Sequence, residues 1–240
     1  MPKLGLGTGF SKSGLVTPGV VTDNLVMKHM YPAGGVQPLS DGAVYTEGAE
    51  YIDLGETTTV SGAFSVAGWF FPTHVTENYI MGVGSTDYLR INSATQITIR
   101  LNNSGKTLGD GGTALDTINI NKWVHIALTR DGSNVIRAYL NGVLQTETHT
   151  DSDDWDYRYI CSRDNGGSFA FDGYTCNLGI WSDALTLAEI KSIMWKRYED
   201  LTTGTDSESD DLVSWWALDE GTGTTATDSK GSNHGSATFS

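Results

Sequence analysis

A short acidic run is the part of this sequence best suited to holding a metal ion. Asp151, Asp153, Asp154 and Asp156 lie close together, between two runs of alternating apolar and polar residues. Calcium prefers hard oxygen ligands that one loop brings together, so these four residues form a predicted calcium site. Two observations oppose it: the run is not an EF-hand string, and solvated acidic loops without a metal are commonplace.

Three aromatic residues in and after this run could bind sugars. Trp155, Tyr157 and Tyr159 alternate with other residues, and side chains two positions apart on a strand lie on the same face. Exposed aromatic rings stack on sugar faces while polar neighbours bind the hydroxyl groups. The three residues are therefore the predicted glycan-binding set. The competing interpretation is that they belong to a core, as most aromatic residues of a β-sandwich do.

The elements that would position these residues are β-hairpins. Between residues 122 and 144, apolar and polar residues alternate with the period of two that a half-buried strand requires. Asp131-Gly132 offers a tight turn after the first run, and Asn141-Gly142 offers another after the second. Asn-Gly fits a type I′ turn, whose two central residues need positive φ. This meander, in a glycine-rich chain, predicts an all-β fold built as an antiparallel β-sandwich.

One short helix is predicted near residues 186–199. Thr186 and Glu189 have the spacing of a capping box, in which the hydroxyl accepts from a backbone N–H and the carboxylate reaches back. Apolar residues then recur at helical spacing, which predicts a stripe that packs on the sandwich. The residues of the stripe are Ile190, Ile193, Met194 and Tyr198.

Several strings together resemble one known family. The segment 123–142 reads W-x-H-x-A, then D-G, then Y-x-N-G, and residues 45–54 and 63–72 resemble earlier strands of the same pattern. Residues 171–174 and 178–190 resemble its ending. Across residues 44–198 the chain is similar to laminin-G-like domains with the concanavalin A-like jelly-roll fold. The resemblance implies one such domain over residues 44–240.

The last part of the chain resembles the string that usually opens a laminin-G-like domain. Residues 212–235 read LVSWWALDEGTGTTATDSKGSNHG, and here they come at the end. Residues 212–240 could return as a closing strand of the single sandwich, or they could begin a second domain. The few residues after Gly235 favour the first alternative. Trp215 and Trp216 would then lie on opposite faces, since neighbours on a strand alternate.

The resemblance bears on catalysis. Glucanases of this superfamily carry an E-x-D-x-E strand motif that aims carboxylates to one side, and this sequence contains no such string. A Ser-His-Asp triad stays open because its members can be distant in sequence, but no G-x-S-x-G elbow occurs. His125 matches a family position and is interpreted as structural. We therefore predict that the chain is not an enzyme.

The resemblance also has implications for metal binding and for the pairing of the two cysteines. Its members often hold calcium at the rim of the sandwich, which supports the calcium site predicted at the acidic run. No other cofactor is predicted. They often carry a late disulfide, which would join Cys161 and Cys176. Synthesis in a cytoplasm would instead favour free thiols, so the state of these two residues stays open.

Composition and charge limit the classes of binding partner that are expected. The formal net charge is −14 and the isoelectric point is about 4.5, so neither nucleic acid nor an anionic membrane is expected, and no basic patch is visible. No run is long enough for a transmembrane helix. The first residues lack the apolar stretch of a signal peptide, which predicts synthesis in a cytoplasm without export by the usual route.

Residues 1–43 are interpreted as an extended N-terminal arm with a possible first strand. Residues 5–21 resemble the leader of laminin-G-like proteins from marine tailed bacteriophages. The resulting hypothesis is a non-catalytic structural or adhesion protein of a bacteriophage virion: a capsid decoration, head fibre or tail-associated component. It would form a homo-oligomer, contact other virion proteins and bind host polysaccharide. The alternatives are a free carbohydrate-binding, lectin-like module and a degenerate glycoside hydrolase.

Overall fold

A computed structural model gives the fold of most of the chain. It describes residues 38–111, 113–165, 169–202, 204 and 208–239. Residues 1–37, which contain most of the predicted N-terminal arm, lie outside the described residues. Neither helix in the described ranges has the length and apolar character needed to cross a membrane.

The described residues form fifteen strands and two short helices. The strands are β1 (Val44–Thr46), β2 (Tyr51–Val60), β3 (Phe64–Pro72), β4 (Asn78–Val83), β5 (Asp87–Ser93), β6 (Gln96–Leu101), β7 (Ser104–Leu108), β8 (Val124–Arg130), β9 (Val135–Leu140), β10 (Val143–Thr150), β11 (Trp155–Ile160), β12 (Gly173–Trp181), β13 (Leu212–Trp216), β14 (Thr225–Ala226) and β15 (Gly235–Thr238). The helices are α1 (Leu187–Ile193) and a 3₁₀ turn (Tyr198–Asp200).

The strands build two antiparallel sheets. The seven-stranded sheet has the order β1-β12-β3-β8-β9-β10, and β13 pairs with the other end of β12. The eight-stranded sheet has the order β14-β15-β2-β11-β4-β5-β6-β7. This arrangement confirms the predicted antiparallel β-sandwich, which is consistent with a jelly roll.

The main core lies between the two sheets, and a second cluster lies outside one of them. Val124, Ile126 and Leu128 of β8 belong to the main core, as their alternation predicts. On the outer face of the seven-stranded sheet, Ile190 and Ile193 of α1 pack in a separate buried cluster. That cluster also contains Ala67, Ala127, Tyr139, Trp181 and Trp215. The helix therefore covers part of the outer face.

The predicted helix is correct in its start and wrong in its length. Thr186 accepts from the N–H of Glu189 and the carboxylate reaches back, which confirms the capping box. The α-helix ends at Ile193 and does not extend to residue 199. Arg197 interrupts it with extended backbone, φ −93° and ψ 174°, and its guanidinium pairs with Asp41. After α1 the N–H groups of Trp195 and Lys196 bond three residues back, and the extended backbone at Arg197 then prevents the helix from continuing.

Both predicted turns are present. At Asn141-Gly142 φ is 50° and 72°, which confirms the positive φ values expected of a type I′ turn. Asp131-Gly132 also lies in a tight turn, as predicted, because the N–H of Asn134 donates to the Asp131 carbonyl oxygen at 2.8 Å. Here the residue with positive φ is Asn134, and the Asp131 carboxylate accepts the N–H of Val135 at the start of β9.

The segment after residue 211 contributes a strand to each sheet. β13 pairs with β12 in the seven-stranded sheet, and β15 pairs with β2 in the eight-stranded sheet. Trp215 is buried in the cluster under α1, whereas Trp216 is buried in the main core. The two side chains therefore lie on opposite faces of β13, as the alternation predicts.

Cys161 and Cys176 are free, buried thiols on different sides of the seven-stranded sheet. Cys161 belongs to the main core, and Cys176 packs with Trp69 and Met194 outside it. Burial raises the pKa of Cys161 to about 11 and that of Cys176 to about 12. Thiolate is the reactive form, so both are expected to be inert in the folded state.

We expect thiol labelling to distinguish folded from unfolded protein. A thiol reagent should modify both cysteines rapidly in denaturant and neither in buffer, because burial disfavours the thiolate. Intact mass should be the same with and without reductant. A mass that increases by about two daltons on reduction would reveal a disulfide and contradict the structure.

Candidate functional site

The predicted calcium ligands do not act as one set. Asp151 is buried, its Oδ1 accepts the N–H of Asp153, and its Oδ2 lies 3.3 Å from Lys106 Nζ. Burial alone would raise the pKa of Asp151, but the N–H of Asp153 and the Lys106 ammonium outweigh burial and lower it. Asp151 is therefore an internal ion-pair partner that holds the loop against β7.

The other three aspartates line a polar cleft. Asp153, Asp154 and Asp156 share it with Asp87 of β5, which the sequence did not indicate. Asp87 Oδ1 accepts the N–H of Asn102 at 2.8 Å, and Asp156 Oδ1 accepts the Thr59 hydroxyl at 2.6 Å. Calcium needs six to eight oxygens at about 2.3–2.6 Å. Within the described ranges, no three carboxylates of this cleft have oxygen atoms that all lie within 4.8 Å of one another. The arrangement therefore does not fit a preformed calcium shell.

A different cluster is the closest approach to a metal-ligand set among the described residues. Potential ligand atoms of Asp110, Glu147 and His149 all lie within 4.8 Å of one another. Glu147 Oε1 already accepts the N–H of Gly111 at 2.9 Å, and His149 Nε2 lies 2.7 Å from the Thr107 carbonyl oxygen. These bonds tie the edge strands β7 and β10 together, which is a sufficient structural role for the cluster.

Two of the predicted glycan-binding aromatics are core residues. The side chains of Trp155 and Tyr157 have no exposed surface and pack in the main core, where Trp155 stacks on Phe64 at 5.7 Å. A ring without exposed surface cannot stack on a sugar, so these two assignments are wrong. The sequence showed that the residues share a face but not that this face is the inner one.

Tyr159 does not share that face. A register shift between Tyr157 and Tyr159 turns the side chain away from the main core. Its ring meets Tyr51 edge-on at 5.7 Å, and the Arg158 guanidinium lies 5.3 Å from the ring centre. Tyr159 is only 9% exposed, so it too has little ring surface to offer a sugar. The predicted set is therefore corrected at all three positions.

His125 is a buried side chain of β8. Its ring meets Trp69 edge-on at 5.3 Å. Burial lowers the pKa of His125 to about 3, so the imidazole is neutral at physiological pH. These contacts agree with the structural interpretation of this residue.

A row of partly exposed aromatic side chains crosses the outer face of the seven-stranded sheet. We call it the aromatic row; its members are Tyr45 of β1, Tyr174 of β12, Phe71 of β3 and Trp123 just before β8. Successive ring centres are 4.8, 5.7 and 5.6 Å apart. Tyr45 and Tyr174 are 38% and 40% exposed. The row is open because α1 covers a different part of the face.

Two local features hold the row in place. Gly173 precedes Tyr174 with φ +146°, and a Cβ there would lie 2.2 Å from the Phe71 carbonyl oxygen, so the close approach of β12 and β3 requires glycine. The Tyr45 hydroxyl donates to Glu47 at 2.8 Å, and this bond raises the pKa of Tyr45 to about 12. The phenol therefore stays neutral.

Polar groups lie beyond the ends of the same three strands. Asp172 precedes β12, His74 follows β3, and Gly48 follows β1; all three line one open cleft with Glu77. Asp172 Oδ1 accepts the N–H of Gly48 at 2.8 Å, and its Oδ2 lies 3.2 Å from His74 Nδ1. Gly48 and His74 each follow a member of the aromatic row by three positions, and Asp172 precedes Tyr174 by two. The row thus has hydrogen-bonding groups beside it.

The aromatic row was missed because its members come from four separate segments. Tyr45 and Tyr174 are far apart in sequence and become register partners only when β1 pairs with β12. Phe71 reaches the row because it pairs with Tyr174 across β3 and β12. Alternation on each strand assigns a residue to a face, but it does not reveal which strands are neighbours.

A comparison with protein families identifies the fold family. The model of the concanavalin A-like lectin/glucanases superfamily, of the laminin G type, matches residues 46–191. The chain belongs to this superfamily. The match covers more than half of the chain and includes most strands of both sheets. A comparison with curated proteins gave no match.

Solved structures of the superfamily fold are similar at low sequence identity. A candidate carbohydrate-binding protein from Bacteroides ovatus ATCC 8483 has a TM-score of 0.56 and 18% identity, over 81% of this chain and 59% of that one. The chain thus spans less than two thirds of that protein. The CBM40 of the Ruminococcus gnavus IT-sialidase, bound to α2,3-sialyllactose, has a TM-score of 0.46 and 14% identity, over 67% and 100%. A heptameric SAP-like pentraxin from Limulus polyphemus has a TM-score of 0.48 and 15% identity, over 64% and 78%.

Proposed function

We propose that this chain is a lectin-like, carbohydrate-binding protein of the concanavalin A-like superfamily. The observation that carries the proposal is the aromatic row, which exposes ring surface across neighbouring strands of one sheet. Soluble proteins seldom expose contiguous apolar surface without a binding role. Aromatic rings beside hydrogen-bonding groups suit a ligand that has both apolar faces and hydroxyl groups, and sugars have both.

The geometry favours an extended saccharide over a single sugar. Neighbouring strands lie about 4.8 Å apart, so the row presents one ring per strand at a spacing similar to one sugar unit. The rings are tilted relative to one another, by 47° between Tyr45 and Tyr174 and by 83° between Tyr174 and Phe71. A twisted saccharide chain would fit this surface better than a flat one.

Tyr174→Ala tests the proposal, because Tyr174 lies inside the row and contacts both Tyr45 and Phe71. A glycan array should first identify a bound saccharide, and titration calorimetry should then compare the variants. Losing one exposed ring contact should cost about 1–2 kcal/mol of binding free energy, a loss of about 5- to 30-fold in affinity. The fold should persist because the side chain is 40% exposed.

Tyr51→Ala is the matched control. Tyr51 is a partly exposed tyrosine on the outer face of the other sheet, where it contacts Tyr159. Its loss should leave the affinity unchanged. Equal affinities of wild type and Tyr174→Ala would remove the aromatic row as the binding surface.

We infer that binding is not followed by cleavage. The support is the lack of an E-x-D-x-E strand motif, which would aim an acid and a nucleophile to one face. Incubation of the bound polysaccharide with the protein should release no reducing ends. Release that disappears when one carboxylate is replaced would favour the degenerate glycoside hydrolase instead.

Calcium binding is a separate proposal. If the ion binds, Asp153, Asp154 and Asp156 would hold it together with Asp87, and the loop would have to close around it. The aromatic row involves none of these residues. Saccharide binding should therefore be the same in calcium and in chelator, and dependence on calcium would shift the site to the acidic cleft.

We also propose a second, more specific function: the chain is a structural or adhesion protein of a bacteriophage particle. It would be synthesised in the host cytoplasm and would assemble into the particle as a homo-oligomer. Its support is the resemblance of residues 5–21 to leaders of such proteins, and those residues lie outside the described part. Peptide mass spectrometry of purified particles should detect the chain. Its absence from clean particles would leave the free carbohydrate-binding module as the function.

A further inference from the structure

A group of arginines and tyrosines lies on the outer face of the eight-stranded sheet. Tyr79 of β4 pairs in register with Arg90 of β5, and Tyr88 of β5 pairs with Arg100 of β6. Leu89, Ile91, Ile97 and Ile99, which alternate with them, belong to the main core. The two tyrosines and the two arginines are therefore on the outer face.

Arg163 completes this group from the loop after β11. Its guanidinium carbon lies 5.2 Å from the Tyr79 ring centre and 5.9 Å from that of Tyr88. Arg90 lies 5.2 and 5.3 Å from the same two rings, and Arg100 lies 5.9 Å from Tyr88. Three guanidinium groups thus surround two phenol rings. We call these five residues the arginine–tyrosine cluster; the sequence had shown no basic patch because its arginines are far apart along the chain.

Positive charge exceeds negative charge in the cluster. Arg90 pairs with Glu77 at 2.7 Å, and Arg163 lies 3.5 Å from Asp164. Arg100 donates to the neutral side-chain amide of Asn103 and pairs with no carboxylate in the described ranges. The cluster therefore holds three cations and two anions on a chain whose formal net charge is −14.

The cluster also leaves hydrogen-bond donors unused. The Nε of Arg90, Arg100 and Arg163 is buried and makes no hydrogen bond among the described residues, and that of Arg163 lies 3.5 Å from Asp164 Oδ2. The Tyr79 hydroxyl oxygen accepts from Arg90 at 2.7 Å and from Arg163 at 3.4 Å. Arg90 and Arg163 have carboxylate partners and Arg100 has none in the described ranges, so an added anion would compensate the charge of Arg100.

We propose that the arginine–tyrosine cluster binds the carboxylate or sulfate group of an acidic saccharide. A guanidinium presents parallel N–H donors that match two oxygens of such a group, and stacking on the tyrosines fixes the plane of each fork. The acidic chain as a whole repels nucleic acid and acidic polysaccharide alike, so binding of either has to come from the cluster, and the test includes both. The saccharide as carrier of the anion rests on the proposed function, whereas the anion site itself does not.

The test compares polymers that differ only in charge. The probes are polygalacturonate with its methyl ester, dextran sulfate with dextran, and single-stranded DNA. Wild type should bind at least one charged polymer more tightly than its neutral form. Arg100→Gln and Arg163→Gln should each weaken that binding about tenfold, as expected for the loss of one charge-assisted bidentate contact.

The controls separate this site from the aromatic row. Arg137→Gln makes the same charge change on β9 of the other sheet, where Arg137 pairs with Asp131, and should leave the charged-polymer affinity unchanged. Tyr174→Ala should weaken neutral saccharides and keep the difference between charged and neutral forms. Arg100→Lys, which keeps the charge without the fork, should not restore full affinity.

Three results would overturn the proposal. The first is wild-type affinity in both Arg100→Gln and Arg163→Gln. The second is equal affinity for polygalacturonate and its methyl ester, together with equal affinity for dextran sulfate and dextran. The third is binding of DNA as tight as that of the charged saccharides. If instead only neutral saccharides bind, the anion site is wrong and the aromatic row stands. If a melting curve shows that one glutamine variant is unfolded, the other variant and Arg100→Lys give the same readout.

Discussion

Deletion of residues 212–239 should unfold the sandwich. This segment supplies β13 to one sheet and β15 to the other, and it fills both hydrophobic clusters with tryptophan. If the segment instead began a separate domain, the rest of the chain would keep its circular dichroism spectrum and cooperative melting after deletion. The deletion therefore discriminates between the two interpretations of this segment.

Trp216→Ala tests the same point with one side chain. Trp216 has no exposed surface, its indole Nε1 donates to the Asn233 carbonyl at 2.8 Å, and its ring meets Tyr157 in the main core. Replacing a buried tryptophan by alanine removes about 3–5 kcal/mol of unfolding free energy. Since a single domain is stable by about 5–15 kcal/mol, this loss should be large in a urea titration.

Trp195→Ala is the control for that measurement. Trp195 is also a tryptophan of this domain, but it is 52% exposed. Its replacement should change the unfolding free energy much less than Trp216→Ala does. Similar losses from the two variants, or a cooperative transition that survives deletion of residues 212–239, would contradict the placement of the closing segment.

Asp228→Ala should give the second large loss of stability. Asp228 is buried, and its Oδ1 accepts the N–H groups of Trp215, Gly231 and Lys230 at 3.0–3.1 Å. Its Oδ2 accepts the N–H of Asn233 at 3.1 Å. One carboxylate thus holds the loop between β14 and β15 against β13. Removing it leaves buried donors unsatisfied, which should cost about 3 kcal/mol or more.

The same carboxylate gives stability a pH dependence of known sign. Burial alone would raise the pKa of Asp228, but the N–H groups of Gly231 and Trp215 outweigh burial and lower it. A carboxylate with a lowered pKa stabilises the folded state above its unfolded pKa of about 3.9. That stabilisation disappears as pH falls through the folded pKa. Urea midpoints measured from neutral to acid pH should therefore fall less steeply in Asp228→Asn than in wild type.

Asp200→Asn is the matched control for charge. Asp200 is exposed, and its carboxylate accepts one long hydrogen bond of 3.4 Å from the N–H of Arg197. Its urea midpoint should follow that of wild type at each pH. Parallel acid profiles for wild type and Asp228→Asn would show that Asp228 does not carry this pH dependence.

Local patterns in the sequence were sufficient for the local elements. The alternation in β8, the Asn141-Gly142 turn and the Thr186 capping box depend on contacts within a few residues, and the structure has all three. The predicted end of the helix was wrong. Beyond that end Arg197 has extended backbone and pairs with Asp41, a residue far away in sequence, and a local pattern does not contain such a contact.

The binding surfaces were decided by the tertiary structure. Alternation placed Trp155 and Tyr157 on one face, but only the pairing of two sheets shows that this face is the core. The sequence alone determined the fold class, because hydrophobic period and turn chemistry act over short distances. Which aromatic rings and arginines meet at the surface depends on strand order and register, since residues of one site come from strands that are distant in sequence.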